Sequence, residues 1–233
     1  MKLILLCLSD VLLILAGIVY GVKFLKKRNY LCGLEWLIMS LSGTNFLLWA
    51  IFGWSFCYDT TFFFDAFSRS FGFPVVAVAG MMFVTHQYKP SWRADVLYFL
   101  LGFVGATGVV LADHHPALAA CKPPFFVATC AIFLAYLANF ALKLHKAGET
   151  LHVLGVCLVA ATGAAIASFE DYVPFPGGDD AYRTTFFTAA LTVWAFMMVE
   201  LYYAYCALER ATQARSGRFF HEPLGQARLR RQA

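Results

Sequence analysis

The sequence predicts an all-α, polytopic membrane protein with seven transmembrane helices. The first observation is composition: 61% of the residues are hydrophobic and 14% are charged, whereas charged residues make up about 25% of a typical soluble domain. The second is that the apolar residues occur in successive runs of about 20, the length of a helix that crosses a bilayer. The third is that short segments rich in turn-forming residues separate these runs. Together they indicate a chain that folds in a membrane.

The predicted spans follow one another with short connections. The first span resembles a signal peptide, but its apolar stretch is too long and basic residues from Lys23 to Arg28 follow it, so we interpret it as a helix. Gly17 and Gly21 in the first span and Gly102 in the fourth predict close helix packing. The seven spans cover, to within a few residues, 3–25, 31–54, 63–88, 94–112, 124–145, 151–170 and 184–208.

The distribution of basic residues predicts the orientation of the chain. Fourteen of the 18 Lys and Arg residues lie in one set of segments and three lie in the opposite set, with Arg69 inside a span. Because basic residues favour the cytoplasmic side, we expect the amino terminus outside and the carboxyl terminus in the cytoplasm of a cell-membrane protein. The expected outer segments are 55–62, 113–123 and 171–183, and the expected inner segments are 26–30, 89–93 and 146–150.

The chain divides into a seven-helix transmembrane domain, residues 1–209, and a basic cytoplasmic tail, residues 210–233. The tail is a candidate for contact with anionic lipid, since each basic residue near such a surface contributes about 1 kcal/mol. A disordered orientation signal is the alternative, and it is the favoured interpretation.

Two short similarities predict an internal repeat. Residues 14–27 resemble residues 133–146, and residues 80–84 resemble residues 196–200. Helices 1–3 and 5–7 would then be parallel repeats joined by helix 4, a 3+1+3 arrangement of a kind known among transporters. Chance similarity between apolar helices is the alternative.

Polar side chains inside the spans are the main functional signal. A charge within a membrane helix costs several kcal/mol, so it usually faces protein or a wet cavity. We interpret these groups as a path for a small solute or ion with a gate at each face; the alternative is local pairing or extension to the nearer interface. For Glu35 the alternative is favoured, since Lys27 and Arg28 lie near its end of the helix. The candidate path residues are Asp10, Asp65 and Arg69 in the outer half, Asn45 in the middle, and Glu35, Asn139, Glu200 and His86 in the inner half.

Arg69 requires a counter-ion because its guanidinium stays protonated at any accessible pH. Asp65 has the i,i+4 spacing that lets two side chains meet, but it lies nearer the interface, where water can solvate it. Asp10 and Arg69 both lie about 8–11 Å below the outer boundary at a rise of about 1.5 Å per residue. We therefore expect Arg69 to contact Asp10, directly or through one water. Pro74 in the same span predicts a kink.

Two further patterns are candidates for a metal site and a disulfide. Asp113-His114-His115 at the outer end of the fourth span offers ligands that suit zinc or copper; a solvated helix end is the alternative. Cys57 and Cys121 both lie in predicted outer segments, where a disulfide is possible. The sequence indicates no particular cofactor.

No catalytic motif is present, because the glycine-rich phosphate loop, the nucleophile elbow and the HExxH motif are all absent. The layout resembles that of microbial rhodopsins, but the last span contains no lysine for a Schiff base. The leading hypothesis is a carrier or channel for a small solute or ion, with no nucleic-acid partner. One alternative is a non-catalytic membrane subunit or sensor that docks a partner protein. The other is a lipid-acting enzyme that uses Glu35, His86 and Glu200.

Overall fold

A computed structural model describes the backbone of residues 1–221 and the side chains of residues 1–170 and 172–214. In this part of the chain all regular secondary structure is helical, and seven helices are long and apolar enough to cross a membrane, as the sequence predicts. Residues 222–233 of the predicted basic tail lie outside the described residues. The helices are α1 (Lys2–Lys26), α2 (Tyr30–Phe52), α3 (Ser55–His86), α4 (Trp92–Leu111), α5 (Lys122–Ala147), α6 (Thr150–Asp171) and α7 (Thr184–His221).

The main difference from the predicted boundaries lies at the start of α3. Residues 55–62, predicted as an outer loop, form its first turns. Gly53 ends α2 in the left-handed conformation, with φ 70°, where the absence of a Cβ avoids strain. The connection between α2 and α3 is therefore only residues 53–54. Residues 55–62 mix polar and aromatic side chains, so the apolar pattern alone placed the helix start too late.

α3 changes its helical register around Pro74. Residues Ser68–Ala77 form a π-helix between two α-helical segments. Proline has no backbone N–H, so in a ladder of i→i−5 bonds the carbonyl of Arg69 loses its partner. The Thr129 hydroxyl on α5 donates a hydrogen bond to that carbonyl at 3.0 Å. The proline predicted to kink the span thus lies in a change of register that a neighbouring helix stabilises.

The helices close into a bundle in which α1 contacts both α2 and α7. α3 packs against α2, α4 and α5, and α6 packs between α5 and α7. α4 lies at the periphery, since only 17% of its apolar window is buried inside the protein, against 67% for α3. Its outward face suits contact with lipid and carries the exposed residues Val96, Leu97, Leu100, Leu101 and Val104.

Small residues allow α1 and α2 to approach closely. A Cβ added at Gly17 would lie 2.6 Å from the carbonyl oxygen of Trp36, and one added at Gly21 would lie 3.0 Å from the carbonyl oxygen of Gly33. Gly102 on α4 likewise makes room for an aromatic ring of α3. Backbones approach closely where side chains are absent, so the predicted glycine-mediated packing is confirmed for these positions.

Four aromatic side chains, which we call the aromatic layer, join α2, α3, α5 and α7. Phe73 lies at their centre, with ring-centroid distances of 6.0 Å to Trp36, 5.5 Å to Phe133 and 5.9 Å to Trp194. The indole N–H of Trp36 donates to the carbonyl of Met198 at 3.1 Å. Trp36 is fully buried with its polar atom satisfied, so the layer ties four helices together in the interior of the bundle.

Candidate functional site

The two ends of the bundle differ in charge. The end that we call the cavity end carries the amino terminus and the connections at residues 53–54, 112–121 and 172–183. The end that we call the basic end carries most of the basic residues and the connections at residues 27–29, 87–91 and 148–149. An ion pair between Lys2 and Asp180 at 3.8 Å links α1 to the loop at the cavity end. Another pair, between Lys27 and Glu209 at 2.5 Å, links α1 to α7 at the basic end.

A cavity of about 720 Å³ opens at the cavity end. Its walls come mainly from α2, α3, α5, α6 and α7, and its inner part lies against Phe73, Phe133 and Trp194 of the aromatic layer. The volume falls within the range of about 300–1,000 Å³ that is usual for small-molecule sites. Most of the lining is apolar, and the charged side chains in it are Asp65, Arg69, Asp113, Lys122, Glu170 and Arg183.

Arg69 lies inside this cavity with several partners. Its guanidinium pairs with Glu170 of α6 at 3.0 Å and with Asp65 at 3.7 Å. It also lies over the ring of Phe126 on α5, 4.0 Å from the centroid. The side chain is 16% exposed, so the charge is largely removed from solvent. Because Arg69 stays protonated, the two carboxylates supply the negative charge that it requires.

The expected direct contact between Arg69 and Asp10 is wrong. Asp10 is fully buried, and neither of its carboxylate oxygens has a hydrogen-bond partner among the described residues. A Cβ added at Gly43 of α2 would lie 2.8 Å from Asp10 Oδ1, so the carboxylate packs on α2. Sequence position gives the position of a residue along the helix axis, but it does not show toward which neighbouring helix the side chain points. α6 instead brings Glu170 beside Arg69.

Two more basic side chains line the cavity. Lys122 at the start of α5 donates to both carboxylate oxygens of Asp113, each at 2.7 Å. Arg183 donates to the carbonyl of Phe169 at 3.0 Å and lies 4.1 Å from the ring centroid of Phe186. Both cations are therefore held in place by neighbouring groups.

The segment at residues 172–183 is tied to the start of α7 by Asp179 and Asp180. Asp179 accepts the backbone N–H of Phe186 at 2.7 Å and that of Thr185 at 3.0 Å, and Asp180 accepts that of Thr184 at 3.0 Å. Burial acts to raise the pKa of Asp179, but the N–H donors of Phe186, Thr185 and Asp180 outweigh it and lower the pKa to about 2. These bonds satisfy N–H groups that have no partner in the first turn of a helix.

Neither the metal site nor the disulfide considered from the sequence is present. Asp113 is paired with Lys122, His114 and His115 are exposed, and no three His, Cys, Asp or Glu side chains in the described residues are placed to hold a metal ion. All seven cysteines fall in the described part of the chain and all are free. Cys57 is buried and Cys121 is exposed. Cys57 belongs to α3 and not to an outer loop, because α3 begins at Ser55.

Glu35 is enclosed between α2 and α3. It is 0% exposed, and a Cβ added at Gly72 of α3 would lie 2.2 Å from its Oε1. The favoured sequence interpretation, in which Glu35 reaches toward Lys27 or Arg28, is wrong. Lys27 pairs with Glu209 instead, and the Glu35 carboxylate is directed into the π-helical segment of α3.

The remaining candidate path residues do not line the cavity. Asn45 is buried and donates to a carbonyl of its own helix at 2.8 Å. Glu200 pairs with His152 on α6 at 3.0 Å. His86 and Asn139 are exposed. Of the residues predicted to form the path, only Arg69 and Asp65 lie in the cavity.

Sequence reasoning missed the main partners of Arg69. Glu170 lies one residue before the end of α6. The sequence could have indicated it, because it lies at the same end of the bundle as an arginine that needs a counter-ion. Phe126 and Thr129 carried no signal, because an aromatic ring and a hydroxyl are common in apolar helices. No family model, curated protein or solved structure matches this chain.

Proposed function

We propose that the protein is an integral membrane carrier or channel for a small solute or ion, and that the cavity is one half of its path. The observation that carries this proposal is the Arg69–Glu170 pair inside an open cavity with mainly apolar walls. Replacing a buried ion pair with apolar residues is often neutral or even stabilising. A charge pair at such a position is therefore better explained by solute binding than by stability, and ionisable groups in membrane spans commonly mark solute pathways.

The lining favours a small solute that has an ionised group and an apolar part. The Arg69–Glu170 pair can exchange partners, since an anionic group of the solute would bind the guanidinium and a cationic group would bind the carboxylate. The rings of Phe126, Phe186 and Trp194 provide apolar wall. The inner part of the cavity lies against Phe73, Phe133 and Trp194 of the aromatic layer, so under this proposal transport requires that layer to open.

The proposed lipid-acting enzyme has no assembled site among the described residues. Glu35, His86 and Glu200 were its candidate acid/base groups. Glu35 is enclosed without a hydrogen bond, His86 bonds Thr85, and Glu200 bonds His152. No hydrogen bond joins any two of the three, and this favours a transport role.

Uptake into proteoliposomes tests the proposal. The panel comprises labelled amino acids, monocarboxylates, quaternary amines and inorganic phosphate. We expect the wild-type protein to increase uptake of at least one class above that of protein-free liposomes, and Arg69→Gln to abolish the increase. Arg93→Gln is the matched control, since Arg93 is exposed at the start of α4 and does not line the cavity. Uptake equal to that of protein-free liposomes for every class, or full activity of Arg69→Gln, would contradict the proposal.

We further propose that the protein lies in the cell membrane with the cavity end outside, as the distribution of basic residues indicates. As part of this proposal, α4, which packs mainly against α3, is the linker of a 3+1+3 arrangement. Labelling of single-cysteine variants, in which all seven native cysteines are replaced by Ser or Ala, tests the orientation. Gly178→Cys should react with a membrane-impermeant thiol reagent in intact cells, and Lys89→Cys only after permeabilisation. The reverse pattern would show that the cavity end faces the cytoplasm.

A further inference from the structure

Two buried carboxylates lie directly behind the cavity lining. Asp10 and Glu35 are both fully buried, and none of their carboxylate oxygens has a hydrogen-bond partner among the described residues. Neither lines the cavity, but a neighbour of each does. Gly43 packs against Asp10, Ser68 lies beside Glu35, and both contribute to the lining.

Glu35 projects from α2 onto the π-helical segment of α3. A Cβ added at Gly72 would lie 2.2 Å from Oε1 and 2.7 Å from Oε2, so both oxygens pack directly on the α3 backbone. The Ser68 hydroxyl lies beside the carboxylate, although no hydrogen bond of normal geometry joins the two groups. Ser68 Oγ and both Glu35 oxygens are therefore buried near one another between α2 and α3 without a hydrogen bond to any described residue.

No cation compensates Glu35 among the described residues. On its own helix the neighbouring ionisable group is Cys32, whose thiol donates to a carbonyl of α3 at 3.6 Å. On α1 the buried ionisable group is Asp10, which packs on α2 near Gly43, eight residues beyond Glu35. On α3 the cation is Arg69, which Glu170 and Asp65 engage.

An ionised carboxylate in this position would be buried without a counter-ion or donor, which is among the most costly arrangements in a protein interior. A carboxylic acid has no net charge, and its O–H can donate to an oxygen such as Ser68 Oγ. We propose that Glu35 is a proton-binding site, which holds a proton while enclosed and releases it to water in the cavity when the segment at Ser68 moves. Release breaks the carboxyl O–H bond, leaves the carboxylate and transfers the proton to water.

The π-helical segment connects this site to the cavity. Ser68, Arg69 and Gly72 all belong to this segment. A change of its helical register would therefore move Arg69 in the cavity together with Ser68 and Gly72, which pack against Glu35. π-helical segments are frequent at functional sites because such a change is local. The use of this coupling in a transport cycle rests on the proposed function, whereas proton binding is a property of the resting protein.

Infrared spectroscopy of the purified full-length protein tests the site. At neutral pH we expect a C=O stretching band of a protonated carboxyl group in the wild-type protein, with the isotope shift of an acid in D₂O. Glu35→Gln, a neutral variant of similar shape, should reduce the band by the Glu35 contribution. The double variant Glu35→Gln/Asp10→Asn should remove what remains, because Asp10 is also buried without a hydrogen-bond partner among the described residues. Asp113→Asn is the matched control and should leave the band unchanged, because Asp113 is paired with Lys122. An unchanged band in Glu35→Gln would overturn the proposal, as would an ionised Glu35 that binds a metal cation.

Uptake under a proton gradient separates this inference from the proposed function. If Glu35 couples protons to transport, a gradient directed into the liposomes should change wild-type uptake, and Glu35→Gln should not respond to it. A band assigned to Glu35 in a protein that transports no member of the panel would support the proton site and contradict the carrier. Uptake by a wild-type protein that lacks the band would contradict the proton site and support the carrier.

Discussion

The carboxylates of Glu170 and Glu35 lie in the same bundle, but they differ in their exposure to solvent and in their partners. Glu170 is 21% exposed and pairs with Arg69 at 3.0 Å, whereas Glu35 is 0% exposed and has no hydrogen-bond partner among the described residues. A carboxylate with a counter-ion and some solvent can keep its charge, while one with neither is stable only in a neutral form. A counter-ion and access to solvent therefore decide together whether a carboxylate inside the bundle keeps its charge.

The same segment of α3 contacts both carboxylates. This π-helical segment presents Arg69 to Glu170 on the cavity side and presents Gly72 to Glu35 on the α2 side. Thr129 bonds the Arg69 carbonyl that Pro74 leaves free, so α5 fixes the position of the segment. This short segment thus lies between a partly exposed charged site and a fully buried carboxylate.

Of the substitutions considered, removal of the Glu170 carboxylate should cause the largest loss in the free energy of unfolding. Glu170→Ala leaves the Arg69 charge without its shortest ion pair, and breaking a buried pair in this way costs about 3 kcal/mol of unfolding free energy. The double variant Arg69→Met/Glu170→Ala should recover most of the loss, because the charge that then loses Arg69 is Asp65, whose side chain is 49% exposed to solvent. Denaturant unfolding in detergent measures both.

The matched control for this prediction is Asp113→Ala, which removes the partner of Lys122 from a more exposed pair. Its expected cost is below about 1 kcal/mol. Equal losses in Glu170→Ala and in the double variant would show that the pair does not hold Arg69 in place.

The packing of Glu35 on α3 predicts a smaller loss. Gly72→Ala places a Cβ 2.2 Å from Glu35 Oε1, and the enclosed carboxylate has little room to move, so over-packing should cost about 1–2 kcal/mol. Adding Glu35→Ala should relieve the clash and recover part of this loss. Gly108→Ala is the control, since a Cβ there meets nothing within 4 Å. If thermal unfolding showed that Gly72→Ala is as stable as Gly108→Ala, the Glu35 carboxylate would not pack against Gly72.

Substitution of Asp179, which caps α7, should cause the smallest loss of stability, and this loss should depend on pH. Asp179→Asn removes the negative charge beside the first N–H groups of α7, and such a charge near a helix N-terminus contributes about 0.3–1 kcal/mol. The pKa of Asp179 is lowered from 3.8 to about 2, so its stabilisation is complete above about pH 4 and is lost as the pH falls toward 2. The difference in Tm between wild type and variant should close over this range. A difference that stays constant from pH 5 to about pH 2 would exclude ionised Asp179 as its source.

Several features were predictable because they depend on local chemistry. The seven spans follow from the length and composition of apolar runs, and the unusual backbone near Pro74 follows from its missing N–H. The close approach at Gly17 and Gly21 follows from the absence of side chains. The start of α3 was not predictable from apolar runs, because residues 55–62 are helical without being continuously apolar.

The sequence by itself determined that this chain forms membrane-length helices, that Arg69 lies within one of them, and that it needs an anion. Only the tertiary structure decided that Glu170 provides the nearer anion and that Asp10 and Glu35 have no hydrogen-bond partner among the described residues. The physical reason is that composition and spacing define a position along a helix axis. The rotation of each helix and the identity of its neighbours arise from side-chain packing over the whole bundle, and they decide which charges meet.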